Sequence, residues 1–155
     1  MEKTELYETF QKGLTSVNGE SYIAKKADVA ATLTKIFQDK DTHEVALVET
    51  PLLKEIGAVD ALKAAGIKVD TDHFRKNAPD DKGGVTEADY GIANLGSIVQ
   101  MKDDIDCRIV ETVSDVYVGI VKLSKIVDTF DDMIDIMAET KPSRAGQLIS
   151  NASVL

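Results

Sequence analysis

Apolar residues recur every three or four positions over residues 4–17, at Leu6, Phe10, Leu14 and Val17, and predict an amphipathic helix that Asn18-Gly19 ends. Residues 22–38 carry Ile23, Ala27, Ala30, Leu33 and Phe37 on one side and charges on the other, which predicts a second helix. The period then changes. Val45-Ala46-Leu47-Val48 is a continuous apolar run, the pattern of a strand buried on both faces. Thr50-Pro51 pairs a capping residue with proline at the first helical position, and Leu52, Ile56, Val59 and Leu62 extend one helix from it. Gly66 stops that helix and Ile67-Lys68-Val69 reads as the next strand, so the segment predicts a parallel βαβ unit.

Residues 70–84, DTDHFRKNAPDDKGG, are polar, with a proline and paired glycines, and predict a loop. The stretch that follows, GGVTEADYGIANLGSIV over residues 83–99, is the part of the chain richest in backbone-special residues. Thr86 with Asp89 three positions on is a capping-box arrangement and predicts a short helix, with Gly96 as its left-handed exit. Ser97-Ile98-Val99-Gln100-Met101 alternates as a strand, residues 107–112 predict a helical turn, and residues 116–121 form the strongest strand signal. Phe130, Met133, Ile134 and Met137 give the apolar side of a last helix whose other side is acidic. The elements sum to an α/β fold with a helical N-terminus.

Composition narrows the partners. The chain has 155 residues, 43% hydrophobic and 29% charged, which suits a single domain with its own core. With 27 acids against 18 bases the formal net charge is −9, a surface that repels phosphate backbones and anionic lipid, so neither nucleic acid nor membrane is expected as a partner. No apolar run approaches the roughly 20 residues of a membrane helix, and the N-terminus lacks the pattern of a secretory signal, so a cytoplasmic protein is expected. Cys107 is the single cysteine, which excludes an intramolecular disulfide and a thiolate cluster built from this chain alone.

The candidate chemistry lies at two places. A helix starting at Thr86 behind Gly84 would present free amide hydrogens to a carboxylate or phosphate, or Thr86 and Asp89 would simply cap that helix. Lys141, Ser143 and Arg144 place two cations and a hydroxyl after the last helix, where they clamp an anion or merely cover its C-terminus. The acids Asp70, Asp72, Asp80 and Asp81 with His73 match no EF-hand spacing and predict a solvated acidic loop, so no metal site is expected. Neither a phosphate loop nor a GxGxxG fingerprint is present, and no GxSxG surrounds Ser97, Ser114, Ser124 or Ser143.

The segment over residues 84–97 also resembles the hallmark of the LUD-domain family, of the lactate-utilisation protein C (LutC, YkgG-like) type. Gly84, Val85, Thr86, Ala88, Asp89, Ile92, Ala93, Gly96 and Ser97 fall in register on its pattern. The strand at residues 116–121, Ser124-Lys125-Ile126-Val127 and Pro142-Ser143-Arg144 follow in the family's order. Two departures stand out. Asn94 and Leu95 occupy positions where many relatives carry an acid and a threonine, and the chain reads AGQLISNASVL where relatives continue with a further strand, making the C-terminus short for the family.

The resemblance implies a NagB/RpiA/CoA-transferase-like sheet flanked by helices, in one domain over residues 1–155 with N-terminal helices over 1–40 and an α/β core over 41–155. It implies a part in L-lactate oxidation to pyruvate beside iron–sulfur subunits, a small carboxylate or phosphate metabolite as ligand, no cofactor on this chain, and a possible homodimer. The ligand-binding set is then Gly84, Thr86, Asp89, Gly96, Ser97, Ser143 and Arg144. The competing expectations are a stand-alone enzyme on a phosphorylated or CoA-linked metabolite and a pocketless interaction module.

Overall fold

Where the chain switches to continuous apolar runs it forms strands, and where apolar residues recur at helical spacing it forms helices. The computed structural model describes residues 2–140 and 149–150. The helices are α1 (Lys3–Ser16), α2 (Val29–Asp39), α3 (Pro51–Glu55), α4 (Ala58–Ala64), α5 (Phe74–Asn77), α6 (Ile105–Val113) and α7 (Phe130–Thr140). The strands are β1 (Glu44–Leu47), β2 (Lys68–Asp70), β3 (Gly83–Glu87), β4 (Tyr90–Ile92), β5 (Ser97–Val99), β6 (Val116–Ile120), β7 (Ile126–Val127) and β8 (Ile149–Ser150). The chain divides into two units, one drawn from the described residues of Met1–Ser21, Ala88–Asp103 and Val121–Val154, the other from Tyr22–Glu87 and Asp104–Ile120.

The unit holding Tyr22–Glu87 is built on a parallel four-stranded sheet in the order β2-β1-β3-β6. Its strands are apolar on both faces because both faces are covered. Val45 and Leu47 of β1 and Val85 of β3 join Leu33, Phe37, Leu53 and Leu62 in the main core, while Ala46, between them, packs with Phe74, Ala78 and Val110. Gly84 faces this second cluster, where a β-carbon would strike the Ser114 hydroxyl and Val110.

The other unit carries a mixed sheet in the order β7-β4-β5-β8. β4 and β5 form a hairpin, β7 runs parallel to β4, and β8 pairs antiparallel with β5, Val99 opposite Ile149. The turn Ala93–Leu95 inside the hairpin is 3-10 and ends at Gly96 with φ +61°. Helix α1 lies against it so closely that a β-carbon on Gly96 would overlap the backbone of Gly13 and Leu14. On this unit's core, Met133 and Met137 of α7 pack with Ile92, Val99 and Met101.

Three expectations need correction. The second helix begins later than residue 22: a 3-10 turn at Lys26–Asp28 precedes α2, and Ile23 is 62% exposed, so its apolar side chain belongs to no buried face. The helix expected over residues 52–62 is two helices, because Gly57 between them takes φ +67°, which a helix interior does not accommodate. The paired glycines at 83–84 close no loop; they start β3, and the loop before them contains α5.

Candidate functional site

The order of the parallel sheet singles out one position. The chain leaves β1, forms β2 on one side, then returns to form β3 on the other, so the connections diverge between β1 and β3. Ligands of open α/β sheets bind outside the carboxyl ends of the strands at such a divergence, where the outgoing loops part and leave a crevice. Here those ends are residues 48–50 after β1 and Thr86-Glu87 at the end of β3, held in step by the Val48 amide donating to the Val85 carbonyl at 3.1 Å.

Two polar groups meet at this edge. The buried Thr50 is the N-cap of α3, and its oxygen accepts from the Leu53 amide at 3.3 Å. The same hydroxyl donates to Oε2 of the half-buried Glu87, so one side chain both starts a helix and orients a carboxylate.

Thr86 points to the opposite face, as strand alternation requires. It is fully buried and its Oγ1 lies 2.6 Å from the Tyr117 hydroxyl and 3.1 Å from Glu111 Oε1 on α6. A threonine hydroxyl has one hydrogen. When Thr86 gives it to the carboxylate, Tyr117 must donate to Thr86, and the order Tyr117 to Thr86 to Glu111 follows. Tyr117 also reaches Glu111 Oε1 at 3.5 Å. Burial pushes the Tyr117 phenol well above its ordinary range, the Glu111 charge adds to this, and the Thr86 hydrogen bond opposes it. The phenol is therefore a neutral donor across physiological pH, and the row ends on the half-buried Glu111 carboxylate. Cys107, one turn before Glu111 on α6, is buried and its thiol reaches Asp104 Oδ2 at 3.7 Å.

The site residues expected from sequence fall into three groups. Gly84 and Thr86 belong to β3 of the parallel sheet. Asp89, Gly96 and Ser97 belong to the other unit. Asp89 braces its hairpin there: its amide donates to the Val99 carbonyl at 3.0 Å, its Oδ2 accepts from the Met101 amide at 2.8 Å, and Lys102 Nζ stands 3.9 Å from Oδ1. Ser97 is fully buried at the start of β5. Ser143 and Arg144 lie outside the described residues.

No helix begins at Thr86, and the capping box with Asp89 does not form. Thr86 is inside a strand paired on both sides, to β1 and β6, and those ladders take the backbone that a helix would need. Glu111 and Tyr117 were not singled out by sequence. The available signal was Tyr117 within an otherwise apolar strand, since a buried phenol requires a hydrogen-bond partner. Among the described residues no group of three or more His, Cys, Asp or Glu is placed to hold a metal ion.

Comparison with known proteins places the chain. The LUD domain matches residues 7–154. The chain belongs to the LUD domain family. The LUD fold of this chain is also seen in a crystal structure of a DUF162 family protein from Deinococcus radiodurans, which is similar over 97% of this chain and 87% of its own with a TM-score of 0.71 at 14% identity. No curated protein matches the sequence. No helix among the described residues is long and apolar enough to cross a membrane.

Proposed function

We propose that this LUD-domain protein is a LutC-like subunit serving the oxidation of L-lactate to pyruvate in the cytoplasm, on a NagB/RpiA/CoA-transferase-like scaffold, together with iron–sulfur partner proteins. The observation that carries the reading is the match of the LUD domain across residues 7–154. The division of labour follows from composition: removing two electrons and two protons from lactate needs an electron acceptor, and a chain with one cysteine builds no iron–sulfur cluster of its own. The electrons pass to the partners, and this chain binds the small anionic metabolite.

Thr50 and Glu87 supply the recognition at the carboxyl edge of the parallel sheet. A carboxylate oriented by a threonine accepts a hydrogen bond from a substrate hydroxyl, the group that distinguishes a 2-hydroxy acid from its keto product. Ser143 and Arg144 are retained as candidates for the anionic group on sequence grounds alone. The acidic side chains Glu87 and Glu111 in and behind this edge disfavour the alternative of a multiply charged phosphate ligand.

The test is growth on L-lactate as sole carbon source. Cells lacking this chain should fail to grow and recover with the wild-type chain, and the tagged protein should co-purify with iron–sulfur proteins. Undiminished growth together with the absence of any cluster-bearing partner overturns the reading. In thermal-shift measurements a true ligand at 100 times its Kd stabilises by about 2.7 kcal/mol. Lactate is expected to act, and a response confined to sugar phosphates or CoA points to the stand-alone enzyme instead.

A further inference from the structure

We propose that Asp70 and Asp81 hold one proton between their carboxyl groups and that this shared proton latches the connection from β2 to β3. The two acids belong to the stretch that sequence reads as solvated. Asp72, His73 and Asp80 are indeed exposed, but Asp81 is only 2% exposed and its carboxyl lies beside that of Asp70 at the end of β2. Oδ2 of Asp81 is buried without a hydrogen-bond donor, and the buried Oδ2 of Asp70 has the Lys68 ammonium 3.5 Å away. Two ionised carboxylates do not settle side by side in such a place; one proton turns the repulsion into a hydrogen bond.

The surroundings agree. The charged groups acting on Asp81 are Asp70 and Lys68 from β2 and Glu44 from β1. Lys68 Nζ lies 3.5 Å from Asp70 Oδ2, on the Asp70 side of the pair. Burial first, and the Asp70 carboxylate second, push Asp81 up to about 6. With its native value raised above the ordinary 3.8, Asp81 lends stability that is complete below that ordinary value and is lost as pH rises through about 6. The latch closes a defined segment: the Asp81 amide donates to the Asn77 carbonyl at 3.1 Å, and the α5 residues ahead of it bring Phe74 and then Ala78 onto Ala46 and Val110.

The experiment compares wild type with Asp81→Asn, whose amide copies the protonated carboxyl at every pH. Hydrogen exchange of the amides over residues 71–82 is followed at pH 3.5 and pH 7.5, each variant measured against the other at the same pH. The two should match at pH 3.5. At pH 7.5 the wild-type segment should exchange roughly tenfold or more faster than the variant. Urea midpoints should show the same divergence, and Asp70→Asn should flatten the pH profile likewise, which keeps the test available where Asp81→Asn does not fold. Parallel pH profiles overturn the proposal. So does stabilisation of the wild type at pH 7.5 by millimolar calcium that Asp81→Asn abolishes, because the two oxygens would then serve a cation.

Discussion

The pattern Thr-x-x-Asp occurs at residues 86–89, 112–115 and 129–132, and the first and last copies do different things. The last is a working capping box. The Thr129 amide donates to Asp132 Oδ2 at 3.0 Å, the Asp132 amide donates back to Thr129 Oγ1 at 3.2 Å, and α7 starts at the next residue, Phe130. The first copy is pulled apart. Thr86 is committed to a strand and to Tyr117 and Glu111, while Asp89 braces a hairpin in the other unit. A capping motif offers the backbone a helix but does not impose one. Gly-Gly-Val ahead of Thr86 fits a strand between two neighbours, and the ladders to β1 and β6 outweigh a cap of about 1 kcal/mol.

This contrast can be attacked at several points. The largest effect is expected at Gly96, whose hairpin follows the first copy. Gly96→Ala combines a left-handed backbone with overlap onto α1, and should cost roughly 3 kcal/mol or more in urea unfolding. A tolerated alanine would mean that this tight approach does not fix the hairpin. Next comes Thr86→Val, which keeps the shape but removes the hydroxyl joining Tyr117 to Glu111. It should cost about 1–3 kcal/mol, since buried partners lose their bonds. A cost equal to that of a surface substitution would show the row to be dispensable.

Thr129→Ala, at the copy that does cap, should cost about 1 kcal/mol and lower helicity rather than disturb the parallel sheet. The smallest effect is the pH dependence of that cap. Hydrogen bonds from the Thr129 side chain and then its backbone hold Asp132 below the ordinary carboxylate value of 3.8. Its contribution is present above that value and fades as pH falls below it, so the gap between wild type and Asp132→Asn should narrow in acid. Circular dichroism at pH 2–6 would record it, and a gap independent of pH would contradict the assignment.

Much of the scaffold could be read from sequence because its causes are local or periodic. The run at residues 45–48 announces a strand buried on both faces, Thr50-Pro51 announces a helix start, and Gly96 takes the left-handed conformation expected of it. The site was harder for a physical reason. Thr50 meets Glu87, and Thr86 meets Tyr117 and Glu111, only because parallel pairing brings distant segments together. No spacing in the chain encodes those contacts. The same holds for Asp81, whose acidic neighbourhood reads as wet until the packing of α5 shows it enclosed. The LUD pattern was legible as a pattern, but its residues divide between two units and do not form one turn.

That division has a consequence during synthesis. The chain passes between the two units after Ser21, Glu87, Asp103 and Ile120, so neither unit is a continuous stretch of polypeptide. A nascent chain that has reached Asp103 still lacks α6 and β6 of one unit and β7 and α7 of the other. Helix α1, made first, must keep Phe10 and Leu14 from water or from other chains until much of the message has been translated. Premature stops anywhere before α7 should therefore yield aggregation-prone products in place of a folded half-protein.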